Sequence, residues 1–249
     1  MFNFNIILVF SVLGINFTVS ELTAQEATEI VSKLLQPLFE GYHDGLVDTS
    51  FSNSPTDLTN NGYTLKPVKM AIIPPDFDLL LNGGKYSCLG QELRKVCNFN
   101  GVFTFHDSTE KDTYISNYYL ERDTVRPESR TENKLIGYFI SANSNGPCGA
   151  SVNVTRVQAT NKVSNTVDRT IAIPEDVTFY QNQNTNNPNT YAHTFTKFAF
   201  AWPSENRDIN TSIDTYNNRY TQTIDGQPIV RDLDCSNYFS TTATTESPC

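Results

Sequence analysis

The chain has 249 residues, with 27 Asp and Glu against 18 Lys and Arg and a formal charge of −9 at pH 7. That acidic balance argues against nucleic acid or an anionic bilayer as an electrostatic partner. A chain of this length buries a sizeable core unaided, as one β-sandwich or barrel or as two small domains.

Ile6–Ile15 is an apolar decamer, the length of a signal-peptide core and too short to span a bilayer. Thr18 and Ser20 supply small residues at the −3 and −1 positions before Glu21. Residues 1–20 therefore read as a signal peptide, although Met1–Asn5 lacks the usual Lys or Arg. The expectation is a secreted, extracellular protein whose mature chain begins at Glu21 and keeps the full acidic charge. No later apolar run is long enough to predict a transmembrane segment.

Thr23 and Glu26 have capping-box spacing. Ala27, Ile30, Val31, Leu34, Leu35 and Leu38 then fall at helical spacing, which predicts one amphipathic helix over 23–40, kinked or ended by Pro37 with Gly41 beyond it. Docked on a sheet, it completes a core; as a membrane-inserting or pro-segment helix it would act outside one. Residues 41–61 are polar and turn-rich and read as a long loop.

From there short apolar runs alternate with turn formers, the pattern of an all-β domain. Tyr63–Ile73 is extended up to Pro74 and Pro75. Phe77, Leu79 and Leu81 precede the turn Asn82–Gly84. Phe99–Val102 contains Asn100-Gly101, which suits a type I′ hairpin turn, as does Ile224–Gln227. The charged stretch His106–Lys134 reads as an exposed strand or loop excursion around its tyrosines. Leu135–Ile140, the turn cluster Asn143–Gly149 and the alternating Ala150–Thr155 form the expected central hairpin, with a bulge or strand end near Val157. Arg169–Ile173 and Val177–Tyr180 read as strands around Pro174, Gln181–Thr190 as a solvated loop. In Phe195–Trp202, Phe198, Phe200 and Trp202 share one face and Ala199 and Ala201 the other. The fold class expected is thus an all-β, antiparallel β-sandwich or barrel-like domain over 21–239 with one N-terminal amphipathic helix. A Ser/Thr-rich tail over 240–249 resembles an O-glycosylated segment.

Five cysteines follow the signal. In an oxidising compartment four pair and one is left over. Spacing favours Cys88 with Cys97, then Cys148 with Cys235, leaving Cys249 as a free or intermolecular thiol. Asn153 and Asn210 head sequons for N-glycosylation.

Chemistry is harder to place. The chain lacks a nucleophile elbow, a zinc-protease helix motif and an EF-hand loop. His43, His106 and His193 are the three imidazoles a metal site would need, but no two share an element at ligand spacing. Asp76 with Asp78 and Asp232 with Asp234 put paired carboxylates on one side of a strand. Aromatics are the richer hint: Tyr114, Tyr118, Tyr119 and Trp202 offer stacking faces for a ligand, the tyrosines being set among charges and expected at the surface more than Phe198 or Phe200. No cofactor is implied, and enzymatic activity is less expected than binding. The leading expectation is a secreted, non-enzymatic glycoprotein binding an extracellular protein, glycan or matrix component. A β-rich pore-forming or membrane-active protein and a hydrolase with unlocated carboxylates are the alternatives.

Overall fold

The computed structural model describes residues 22–77, 87–107, 112–117, 130–144, 148–205 and 207–220. Helix α1 (Ala24–Leu34) leads into β1 (Gln36–His43), β2 (Asp48–Ser52), the short α2 (Pro55–Asn60), β3 (Thr64–Leu65), β4 (Met70–Ile72) and a 3-10 turn (Pro75–Phe77). Then come α3 (Ser87–Cys97), β5 (Phe99–Asp107), β6 (Asp112–Ser116) and β7 (Arg130–Ser141). The described chain closes with β8 (Val152–Asn161), β9 (Thr166–Ala172), α4 (Pro174–Asn186), β10 (Thr194–Pro203) and α5 (Ile209–Tyr220). The protein is mostly β, as expected, with several helices added.

The strands form an antiparallel sheet in the order β2-β1-β4-β10-β7-β5-β6, with β3 on β1, β8 on β10 and β9 on β8. The two ends of this order, β2 and β6, lie against each other, and β9 packs on both. Three local hairpins, β1–β2, β5–β6 and β8–β9, therefore meet through their second strands.

Alternation along the strands feeds two cores on opposite faces. Ile73, Phe99, Tyr138 and Ile140 face one core, where Ile30, Val31 and Leu34 of α1 and Leu93 of α3 cover the sheet. Ile72, Val102, Ile136 and Phe139 face the other, enclosed by Ile115 of β6 and Ile171 of β9. Each such side chain removed from water contributes about 1.5–3 kcal/mol.

Helix α1 begins with the expected capping box: the Glu26 amide donates to Thr23 Oγ1 at 3.2 Å, and the Thr23 amide donates to Glu26 Oε2 at 2.9 Å. It does not run to residue 40. Pro37 has no amide hydrogen and pushes Gln36 toward extended backbone, so the chain leaves the helix at Leu35 and enters β1. Leu38 keeps the helical spacing by coincidence and is buried as a strand residue.

Other expectations are corrected by long-range pairing. The 41–61 stretch is the end of β1, all of β2 and α2, which starts with Pro55 in its first turn. Asn100 and Gly101 form no turn; they lie inside β5 opposite Phe139 and Tyr138. A side chain at Gly101 would press on the Phe103 ring, with Cβ 3.0 Å from Cε2, so the glycine serves close packing. Leu135–Ile140 and Ala150–Thr155 are not hairpin partners, because β10 lies between β7 and β8. β8 neither bulges nor ends near Val157 but runs on to Asn161; the register shift of its ladder with β10 falls between Lys197 and Ala199, where Phe198 is the extra residue. That bulge sends Phe198 into the core of Ala199 and Ala201, away from Trp202.

Val177–Tyr180 and most of the Asn/Gln tract are helix α4, with Pro174 at its start and Glu175 and Asp176 in its first turn. No residue of α4 is fully buried, which is why it leaves no apolar stripe in the sequence. The signal peptide, the Asn82–Gly84 and Ile224–Gln227 turns and the 240–249 tail lie outside the described residues.

Candidate functional site

Where β2, β6 and β9 converge, each brings one aspartate: Asp48, Asp112 and Asp168. One carboxylate oxygen from each lies within 4.8 Å of the others. Each aspartate is followed by the residue that faces the previous carboxylate in a cycle. The Thr113 amide donates to Asp48 at 3.3 and 3.4 Å. The Arg169 amide and Nη1 donate to Asp112 at 3.3 and 2.7 Å. Thr49 acts on Asp168 through its backbone and its hydroxyl. Amides that no ladder pairs among the described residues thus find carboxylates instead.

The electrostatics are unfavourable as they stand. Asp48 and Asp112 are 2% and 1% exposed. Burial raises the Asp48 carboxyl above its ordinary range, against the Tyr63 hydroxyl and the Thr113 amide, which favour the anion. Burial likewise pushes Asp112 up to about 7, although the Arg169 guanidinium lowers it. Asp168 is raised well above the usual carboxylate range, first by burial and then by the charges of Asp48 and Asp112. Its Oδ1 is buried with no hydrogen-bond partner. The Tyr63 hydroxyl donates to Asp48 Oδ2, and burial plus that acceptor hold Tyr63 well above the usual phenol range.

Tyr63 and Thr113 also line a groove of about 500 Å³, together with Phe105, His106, Asp57 and Lys134. Lys134 Nζ and Asp57 Oδ2 pair at 2.5 Å. The groove therefore combines hydroxyls, an imidazole and charges above one corner of the acidic seam.

The residues singled out from sequence fare unevenly. Tyr114 is not a surface platform: it is 1% exposed, stacked on Phe105 at 5.5 Å and covered by the Arg169 and Arg156 guanidiniums at 5.4 and 5.7 Å. Its place on β6, whose partner strands close over it, hides it. Trp202 is buried too, and its indole nitrogen donates to the Cys148 carbonyl at 2.7 Å, a structural role. Tyr118 and Tyr119 lie outside the described residues.

The three histidines are not gathered. His43 and His106 both bear electrostatically on Asp48. His193 lies apart, with Nδ1 accepting from the Thr160 amide at 3.1 Å and Nε2 2.9 Å from Gln183 Oε1. Among the described residues the metal-capable grouping is the three aspartates, with no histidine in it. Sequence reasoning missed these aspartates because they stand far apart and carry no shared motif beyond opening or sitting within a strand. The Asp76 and Asp78 side chains, Asp232 and Asp234 fall outside the described residues.

The cysteine pairing also changes. Cys97 bonds to Cys148, with Cα atoms 5.6 Å apart. Cys88 and Cys97 occupy the two ends of α3. Nine helical steps separate them by roughly 13 Å, beyond the roughly 7 Å limit for a bridge. Cys148 is thereby taken from Cys235, which with Cys249 lies outside the described residues. Asn153 and Asn210 are both exposed, on β8 and in the first turn of α5. Among the described residues no helix is long and apolar enough to cross a membrane. No protein-family model, curated protein or solved structure matches the chain.

Proposed function

We propose that the protein is an exported, non-enzymatic glycoprotein whose β-rich domain, a sandwich or a barrel-like closure of the sheet, binds an extracellular partner, a glycan in the first instance. The groove of about 500 Å³ beside Asp48 carries this reading. Its walls set Thr104, Thr113, Asn61, His106 and the Lys134–Asp57 pair over the buried Tyr63 and Phe105. Sugar hydroxyls are held in this way, by a few polar and charged groups converging on a concave site. The uncharged apolar leader 1–20, the buried Cys97–Cys148 bridge and the exposed Asn153 and Asn210 sequons support export and N-glycosylation.

The test is expression in a secretory cell line followed by glycan-array binding. The secreted chain is expected to start at Glu21 and to lose mass on enzymatic deglycosylation. Lys134→Ala and Asn61→Ala, both exposed on the groove, are expected to weaken glycan binding about tenfold each, or about 1.4 kcal/mol. A chain retaining Met1, or turnover of a polysaccharide or ester panel without retained binding, refutes the reading.

A further inference from the structure

We propose that Asp48, Asp112 and Asp168 together bind one divalent cation of the hard, oxygen-seeking class, with calcium as the best fit. The first ground is geometry. Three strands from three hairpins deliver carboxylate oxygens within 4.8 Å of one another. A calcium ion contacts its oxygens at about 2.3–2.6 Å, so oxygens on opposite sides of it stand roughly 5 Å apart.

The second ground is independent of the clustering. Asp168 Oδ1 is buried with no hydrogen-bond partner, although Thr49 acts on the same carboxylate as amides, a hydroxyl and a guanidinium act on Asp48 and Asp112. A buried carboxylate oxygen without a donor is costly, and a cation supplies what the protein does not. Charge points the same way. Among the described residues, the basic groups acting on the trio are the Arg169 guanidinium at Asp112 and, at Asp48, His43 and His106. Two buried carboxylates and a half-buried third therefore crowd together with little opposite charge among the described residues.

The donor set selects the metal. It is all carboxylate, with no thiolate or imidazole, which suits calcium or magnesium and disfavours zinc. Three separate strands give a spread, adaptable set of oxygens, which suits calcium more than the small octahedral shell of magnesium.

The experiment uses the full mature chain, stripped with chelator and titrated with calcium, magnesium and zinc chlorides by calorimetry and thermal unfolding. Wild type is expected to take up one calcium per chain with Kd of about 1 mM or tighter, in the range of extracellular calcium modules. Its Tm is expected to rise with calcium, and binding is expected to weaken at pH 5.5 as protons compete for the carboxylates. Asp168→Asn is expected to stay folded without metal and to lose at least tenfold in affinity, while Asp44→Asn, at an exposed position, leaves it unchanged. If Asp168→Asn does not fold, Asp48→Asn gives the same readout. Absence of uptake by wild type, equal affinity in Asp168→Asn, or a preference for zinc overturns the proposal.

Discussion

Removing the Cys97–Cys148 bridge tests both the pairing and the way α3 is tied to the sheet. The bridge joins residues 51 apart in sequence. In the chain-entropy account, closing a loop of that size removes about 14 cal/mol/K from the unfolded ensemble, or about 4 kcal/mol at 25 °C. That is a large share of the roughly 5–15 kcal/mol by which a domain is stable. At about 2–4 °C per kcal/mol for a chain of this size, Cys97→Ala/Cys148→Ala is expected to melt about 8–16 °C lower. Both half-cystines are buried in the core beneath α1, so lost packing adds to the loss. Cys88→Ala, which leaves the bridge intact, is expected to cost far less. The assay is urea and thermal unfolding followed by near-UV circular dichroism, with non-reducing peptide mapping alongside. A double variant within about 1 kcal/mol of wild type, or a mapped Cys88–Cys97 peptide, would refute the reasoning.

Three further outcomes follow from the structure. In chelator, the raised carboxyls of the seam make the fold prefer protons the unfolded chain gives up near pH 4. Their stabilisation is fully present below that and lost as pH rises through about 7 for Asp112. Tm is therefore expected to be lower at pH 8 than at pH 5, by an amount equivalent to at most about 3 kcal/mol from Asp112, and a flat or rising profile contradicts the assignment. Gly137 has φ +150° where β7 crosses the end of β4, and a Cβ there would come within 2.8 Å of Ile72 Cγ1. Gly137→Ala is expected to cost about 2–3 kcal/mol or prevent soluble expression, read by denaturant unfolding. Trp202→Phe leaves the buried Cys148 carbonyl without its indole donor and is expected to cost about 1–3 kcal/mol in the same assay.

Local chemistry was legible in the sequence and long-range geometry was not. Thr23 and Glu26 announced the start of α1 because a capping box is complete within four residues. The end of α1 was obscured by Leu35 and Leu38, apolar for different reasons, and only Pro37 marked the change. Asn100-Gly101 carries a hairpin signal, yet β7 recruits both residues into a ladder, and a partner 39 positions away outweighs a turn preference. The hairpin drawn between residues 135 and 155 failed for the same cause, since β10 enters from later in the chain. Helix α4 was hidden because none of its residues is fully buried, so it lacks the apolar stripe by which helices are recognised, although Pro174, Glu175 and Asp176 form a legitimate start signal. The acidic seam was the least legible part. Paired carboxylates were sought two residues apart, while the three that meet belong to three separate hairpins.

That arrangement has a kinetic consequence. The hairpins β1–β2, β5–β6 and β8–β9 each close within a short stretch of chain and form on the microsecond scale. The seam that joins them spans 65 residues from Thr113 to Asp48 and 57 from Arg169 to Asp112. Loop-closure entropy must be met before those contacts return anything, and three acids must approach one another as it happens. Docking of the three hairpins is therefore expected to be the slow step, and low pH, which neutralises the acids, to accelerate it. The Thr113 and Arg169 amides, held by side chains instead of by a ladder, become the first strand amides to exchange with solvent when the hairpins part.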